Sequence, residues 1–132
     1  MSITDPIANM ITSLKNAAMV QKESVTVPFS NIKFAIARCL EENGYLSQST
    51  KKTEKKNMPV IEMKITMNAQ GSKIHEVKRV SKPSRRVYKN VRELSPVKNG
   101  SGILVLSTPK GIMSDVQAKK EQVGGEALFM IW

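Results

Sequence analysis

Residues 103–132 read ILVLSTPKGIMSDVQAKKEQVGGEALFMIW, and this stretch decides the fold of the second half of the chain. Ile103-Leu104-Val105-Leu106 is a short continuous apolar run, the pattern of a strand buried on both faces. Ser107-Thr108-Pro109-Lys110-Gly111 is dense in turn-forming residues. Ser114, followed three residues later by Gln117, matches a capping box, so one short helix is predicted there, closed by Gly124. Ala127 to Trp132 is a further buried strand. Upstream, Ile74 to Val80 reads as a strand that carries His75, and Ser81 to Arg86 as a basic loop around Pro83. Val87-Tyr88 reads as a short extended piece and Val97 to Gly102 as a turn-rich link.

Asn68 to Ser72 holds a glycine and small polar residues and is the predicted boundary between two domains, 1–68 and 69–132. Ahead of it, Thr4-Asp5-Pro6 has the form of a helix start, and Ile7, Ile11, Leu14 and Ala18 recur at helical spacing. Val25-Thr26-Val27 reads as a strand stopped by Pro28. Ser30 can cap a second helix with Ile32, Ile36, Cys39 and Leu40 on its inner stripe and Asn43-Gly44 at its end. Tyr45-Leu46 opens another strand, and the polar stretch Thr50 to Asn57 reads as a hairpin loop. Ile61, Met63, Ile65 and Met67 alternate with Glu62, Lys64 and Thr66, the mark of a half-buried strand. The expected fold class is α+β in two small domains: an N-terminal α/β domain with two helices and about three strands, and a C-terminal domain that is mainly antiparallel β with one short helix.

Composition bounds the function. The chain has 132 residues with 21 Lys plus Arg against 11 Asp plus Glu, a net charge of +10. Such an excess speaks to partners rather than to fold, and nucleic acid is the leading polyanion. The charge is uneven: 9 basic and 6 acidic residues precede Gly71, while 12 and 5 follow from it onward, +3 against +7. Cys39 is the only cysteine, so no intramolecular disulfide can form, and a reducing interior is the expected home. The opening residues lack the basic–apolar–small pattern of a secretory signal, and the longest apolar run, Ala127 to Trp132, is too short to span a bilayer.

Catalytic constellations are missing from the pattern. His75 is the lone histidine, Cys39 lies on an apolar helix stripe, and neither has company at metal-ligand spacing. Gly100-Ser101-Gly102 precedes a strand and lacks the third glycine of a dinucleotide fingerprint. The expectation is no enzyme, no cofactor and no metal.

The basic run is specific in place. Lys73, Lys78, Arg79, Lys82, Arg85, Arg86, Lys89 and Arg92 crowd one segment in which Glu76 is the sole acid. These cations suit phosphates, which position a ligand without reading it. Close contacts fall to two bends. Ser107 to Gly111 offers hydroxyls, amides and a cation. Gly124-Gly125-Glu126 offers bare backbone and an acceptor, a set that suits the hydroxyl-rich shallow groove of RNA; as plain structure, the same residues are a hairpin turn and a helix cap. Tyr88 either stacks on a base or hydrogen-bonds to the backbone, or else packs in the core.

Ser107 to Met113, with Ala118 and Val123 to Glu126, resembles the C-terminal signature of the small-subunit ribosomal protein S-eight family, of bacterial type. Asp5 to Met10 with Lys15-Asn16, Val27 to Ser30, Glu42 to Tyr45, and Arg79 to Pro83 with Arg86 and Tyr88 resemble further parts of it in order. The resemblance implies a structural constituent of the ribosome that binds a helical segment near a junction in the central domain of small-subunit rRNA and helps the subunit assemble. It also implies contacts with neighbouring ribosomal proteins, no membrane association, a monomer when free, and a cytoplasmic bacterial ribosome or an organellar one. Its implied RNA-binding residues are Ser107, Thr108, Pro109, Lys110, Gly111, Gly124, Gly125 and Glu126, then Tyr88 and Arg86, then Lys55, Asp5 and Lys15. Three positions depart from the family pattern: Pro109 stands for a serine, Ser84 for a glycine and Ser13 for a basic residue. The alternative is a general basic nucleic-acid-binding regulator.

Overall fold

The computed structural model describes residues 6–54, 58–68, 71–95, 97 and 102–132. They fall into two compact units, Pro6–His75 and Glu76–Trp132. The whole is α+β, with three helices among the described residues and antiparallel three- and five-stranded sheets.

In the first unit, α1 (Pro6–Met19) buries Ile7, Met10, Ile11, Leu14, Ala17 and Ala18, a stripe at three- and four-residue spacing. Strand β1 (Ser24–Pro28) runs antiparallel to β3 (Met58–Ile65), and β2 (Leu46–Glu54) flanks β3 on its other side. Helix α2 (Asn31–Glu42) starts as its sequence predicts: Ser30 caps it by accepting from the Lys33 amide at 3.2 Å. Its inner stripe is Lys33, Ile36, Ala37, Cys39 and Leu40. Ile32 belongs to the outside at 42% exposure, a correction to the expected stripe. Positions 33, 36, 37 and 40 set the helical phase, which turns Lys33 inward at 8% exposure, as its long aliphatic stem permits, and Ile32 outward.

The expected loop from Thr50 begins instead as strand. β2 continues to Glu54, with Thr50 opposite Glu62 and Lys52 opposite Val60, and residues 55–57 lie outside the described set. An edge strand with one wet face carries polar residues without ceasing to be a strand. Here Lys52 pairs with Glu62 at 2.9 Å, and buried Ser49 is held by Glu41, whose Oε1 accepts from the Ser49 amide at 2.7 Å and hydroxyl at 2.8 Å. A two-residue ladder, β4 (Met67–Asn68) with β5 (Gly71–Ser72), follows.

In the second unit, β6 (Val77–Arg79) is shorter than expected. Exposed His75 precedes it in irregular chain, and pairing starts only where Glu76 exchanges both backbone hydrogen bonds with Trp132, at 3.0 and 3.1 Å. β7 (Tyr88–Lys89), a 3-10 turn (Val91–Glu93), β8 (Ile103–Thr108), β9 (Gly111–Ser114), α3 (Asp115–Glu121) and β10 (Gly125–Ile131) complete it. β8 is buried along Ile103–Leu106 on both faces, as its unbroken apolar run requires. β10 pairs with β8 on one side and with β6 and β7 on the other. Leu94, Val97, Leu104, Leu106, Ala118 and Ala127 form one core cluster, flanked by half-buried Met130 and Trp132.

Ser114 caps α3 by accepting from the Gln117 amide at 3.2 Å, while the Gln117 side chain turns away and donates to Glu121 at 3.1 Å, so only half of the predicted capping box forms. The helix ends at Gln122, whose φ is +57°, rather than at Gly124. Gln122 already supplies the left-handed turn, freeing Gly124 for another purpose.

Phe129 is fully buried at the centre of β10. Phe129→Ala is expected to cost about 3–5 kcal/mol, whereas Ile32→Ala should fall within about 0.5 kcal/mol of wild type, as exposed sites do. Urea denaturation followed by circular dichroism reads both.

Candidate nucleic-acid interface

The β8–β9 turn is built by one hydroxyl. Thr108 Oγ1 donates to the Gly111 carbonyl at 2.7 Å and accepts from the Lys110 amide at 3.1 Å. Thr108 and Gly111 stand opposite each other, so Pro109 and Lys110 form the two-residue tip. Gly111 has φ +117°, a conformation that L side chains strain to adopt. The Ser107 hydroxyl, by contrast, makes no hydrogen bond to any described residue. Lys110 is exposed and reaches Glu121 only at 3.4 Å across solvent.

Beside this turn lies the Gly124-Gly125-Glu126 segment. Ser107 on β8 stands opposite Glu126 on β10, and Glu126 stands opposite Tyr88 on β7. Residues directly opposed in antiparallel strands point to the same face. Ser107, Glu126 and Tyr88 therefore form a row across three strands, with Tyr88 67% exposed. That exposure removes Tyr88 from the core and leaves its ring open to a ligand. A groove of about 730 Å³ adjoins the row, lined by Tyr88, Lys89, Asn90, Arg92, Gly124 and Gly125 among others.

The two glycines serve the protein's own packing. A Cβ on Gly125 would strike the Ser107 carbonyl, and one on Gly124 would strike the Lys89 carbonyl. Bare backbone here lets β10 enter between β7 and β8.

Glu126 Oε2 accepts from the Ser81 hydroxyl at 2.6 Å and from the Arg86 guanidinium at 3.0 Å. Burial acts to raise its carboxyl pKa, but the Ser81 bond and the charges of Arg86 and Arg79 outweigh it and hold the group below its ordinary value of 4.5. In the same basic stretch the cations Lys82, Arg85, Arg86 and Arg92 are exposed, while Arg79 donates to the Leu128 carbonyl at 2.6 Å.

Of the sequence-predicted residues, Ser107, Thr108, Pro109, Lys110, Gly111, Gly124, Gly125, Glu126, Tyr88 and Arg86 all lie in the second unit, and the two bends adjoin. Lys15 is on α1 of the first unit, half-buried. Asp5 and Lys55 lie outside the described residues. Lys89 and Arg92 belong to the basic run that suits phosphates, whereas Ser81 and Asn90 are not among the expected contacts. Of these, buried Ser81 left no signal in the sequence, because a serine in a basic loop reads as solvated.

A family model described as Ribosomal protein S8 matches residues 5–132. The chain belongs to the ribosomal protein S8 family. Relatives named small ribosomal subunit protein uS8 include one from Halothermothrix orenii, 44% identical over all of both chains. Others come from Acidithiobacillus ferrooxidans, at 42%, and Azoarcus sp., at 40%, each over 99% of both chains. These relatives are bacterial and match this chain end to end, so the family covers both units. No group of His, Cys, Asp and Glu among the described residues could hold a metal, and no helix among them is long and apolar enough to cross a membrane.

Two outcomes follow for the site. Gly125→Ala is expected to cost about 1–3 kcal/mol by overpacking against β8, read by denaturant unfolding. The lowered Glu126 pKa means that its contribution to stability is present above about pH 4.5 and is lost as pH falls through the folded value. The stability gap between wild type and Glu126→Gln should therefore narrow from pH 7 to pH 3.

Proposed function

We propose that the chain is a structural constituent of the small ribosomal subunit that binds the central domain of small-subunit rRNA directly and helps the subunit assemble. The supporting observation is the row of Ser107, Glu126 and Tyr88, with a hydroxyl that bonds to no described residue and an exposed ring in a unit rich in exposed cations. A shallow RNA groove offers 2′-hydroxyls and base edges to such short polar side chains, while Lys82, Arg85, Arg86 and Lys110 meet flanking phosphates. The ligand is a helical rRNA segment near a junction. Contacts run through Ser107, Tyr88, Arg86, Lys110 and the backbone of Pro109, Gly111, Gly124 and Gly125, with Thr108 shaping the turn and Glu126 at the centre. Lys15, Lys55 and Asp5 of the 1–68 domain add weaker contacts, so the 69–132 domain carries the main surface. The free protein is a monomer, and its place is a cytoplasmic bacterial ribosome beside other subunit proteins. Membership of the ribosomal protein S8 family supports the reading as a small-subunit constituent.

The test is binding to a folded fragment of small-subunit rRNA in competition with bulk RNA. Ser107→Ala should weaken binding by about 1 kcal/mol without changing stability, since its hydroxyl has no described partner in the protein. With about six phosphate contacts, affinity should fall roughly a thousandfold between 50 and 200 mM salt. Equal affinity for a DNA duplex at matched salt would favour a general nucleic-acid-binding regulator instead.

A further inference from the structure

We infer that Ser81 is a positioning residue that preassembles the RNA-facing row by tying the basic loop to strand β10. The inference rests on the rRNA-binding reading above and adds a residue that touches no RNA.

Between β6 and β7 the chain leaves the side of β10 and comes back to it. It departs where the amides of Val80 and Ser81 both donate to the Leu128 carbonyl, at 3.1 and 3.4 Å. It returns where the Val87 carbonyl accepts from the Ala127 amide at 2.8 Å. The excursion bears Lys82, Pro83, Ser84, Arg85 and Arg86, all exposed, and its tip is closed by two Lys82–Arg85 backbone bonds of 2.9 Å each.

Ser81 is the exception within this basic loop, at 0% exposure. Its hydroxyl oxygen accepts from the Val87 amide at 2.9 Å, closing the base of the excursion. The same hydroxyl donates to Glu126 Oε2 at 2.6 Å, the oxygen that also holds Arg86. One buried group thus fixes both ends of the loop and the carboxylate between Ser107 and Tyr88. A methyl group in its place would leave the Val87 amide and a charged oxygen short of a partner in a largely dry position. The loop cations would then sample many orientations, and each phosphate contact would carry an ordering cost that the native loop has already met.

The experiment measures the affinity of full-length protein for the rRNA fragment across a salt series, with thermal unfolding in parallel. Ser81→Ala is expected to remain folded at the assay temperature, bind roughly tenfold more weakly, and lose about two units of salt slope, given about 0.9 units per phosphate contact. Ser81→Thr, which keeps the hydroxyl, should restore the slope. In a Lys82→Ala/Arg85→Ala background, Ser81→Ala should remove little further slope, because the groups it positions are already gone. An unchanged slope in folded Ser81→Ala, or full additivity with the loop substitutions, overturns the inference. If Ser81→Ala does not fold, the slope of Glu126→Gln decides in its place: a drop of at least one unit supports the inference, and an unchanged slope overturns it. Failure of wild type to select the rRNA fragment over competitor RNA is a separate result, and it removes the functional reading itself.

Discussion

The second unit depends on the pairing of β10 with partners on both edges. On one edge it meets β8, and on the other it meets β6 and then β7. This arrangement needs Gly125, because nothing larger fits against the Ser107 carbonyl. It also needs Phe129, which fills the interior further along the strand. The same pairing sets Ser107, Glu126 and Tyr88 abreast, so the core and the polar row are one construction. Movement of β10 by one residue would reverse its faces and scatter the row.

Charge is arranged with comparable economy. The Glu126 carboxylate lies beside Arg86, and its negative charge is stabilised by Ser81 and Arg86 rather than left to solvent. An acid in a basic field ordinarily weakens attraction to a polyanion. Here it organises the field, because the guanidinium it holds takes a defined place while Lys82 and Arg85 remain at the exposed tip.

Much of the fold was legible in the sequence, for reasons that differ by element. The unbroken apolar run of β8 and the Ser30 and Ser114 caps are local signals that appear where their pattern placed them, while the alternation expected from Ile61 to Met67 holds in β3 only as far as Ile65, Met67 falling in β4. The polar half of β2 was not legible, since an edge strand and a loop share a composition. Nor was the phase of α2, where Lys33 lies inside by virtue of its stem. The end of α3 was assigned to a glycine, although Gln122 adopts the left-handed conformation itself. At the candidate site, the two bends could be read from their residue types, but their adjacency is long-range pairing that periodicity does not encode. The division of labour between Thr108 and Ser107 is likewise a matter of which hydroxyl the turn captures, and buried Ser81 is visible only once the chain has folded around it.

Pro109 has one remaining meaning. Because Thr108 alone ties the tip together, the missing amide of a proline leaves the turn intact. The pyrrolidine ring narrows the range of shapes that this tip explores before it meets a partner. A serine there would provide one more group to bond with and a softer hinge. The chain has instead a stiffer fingertip, whose shape is largely settled before anything touches it.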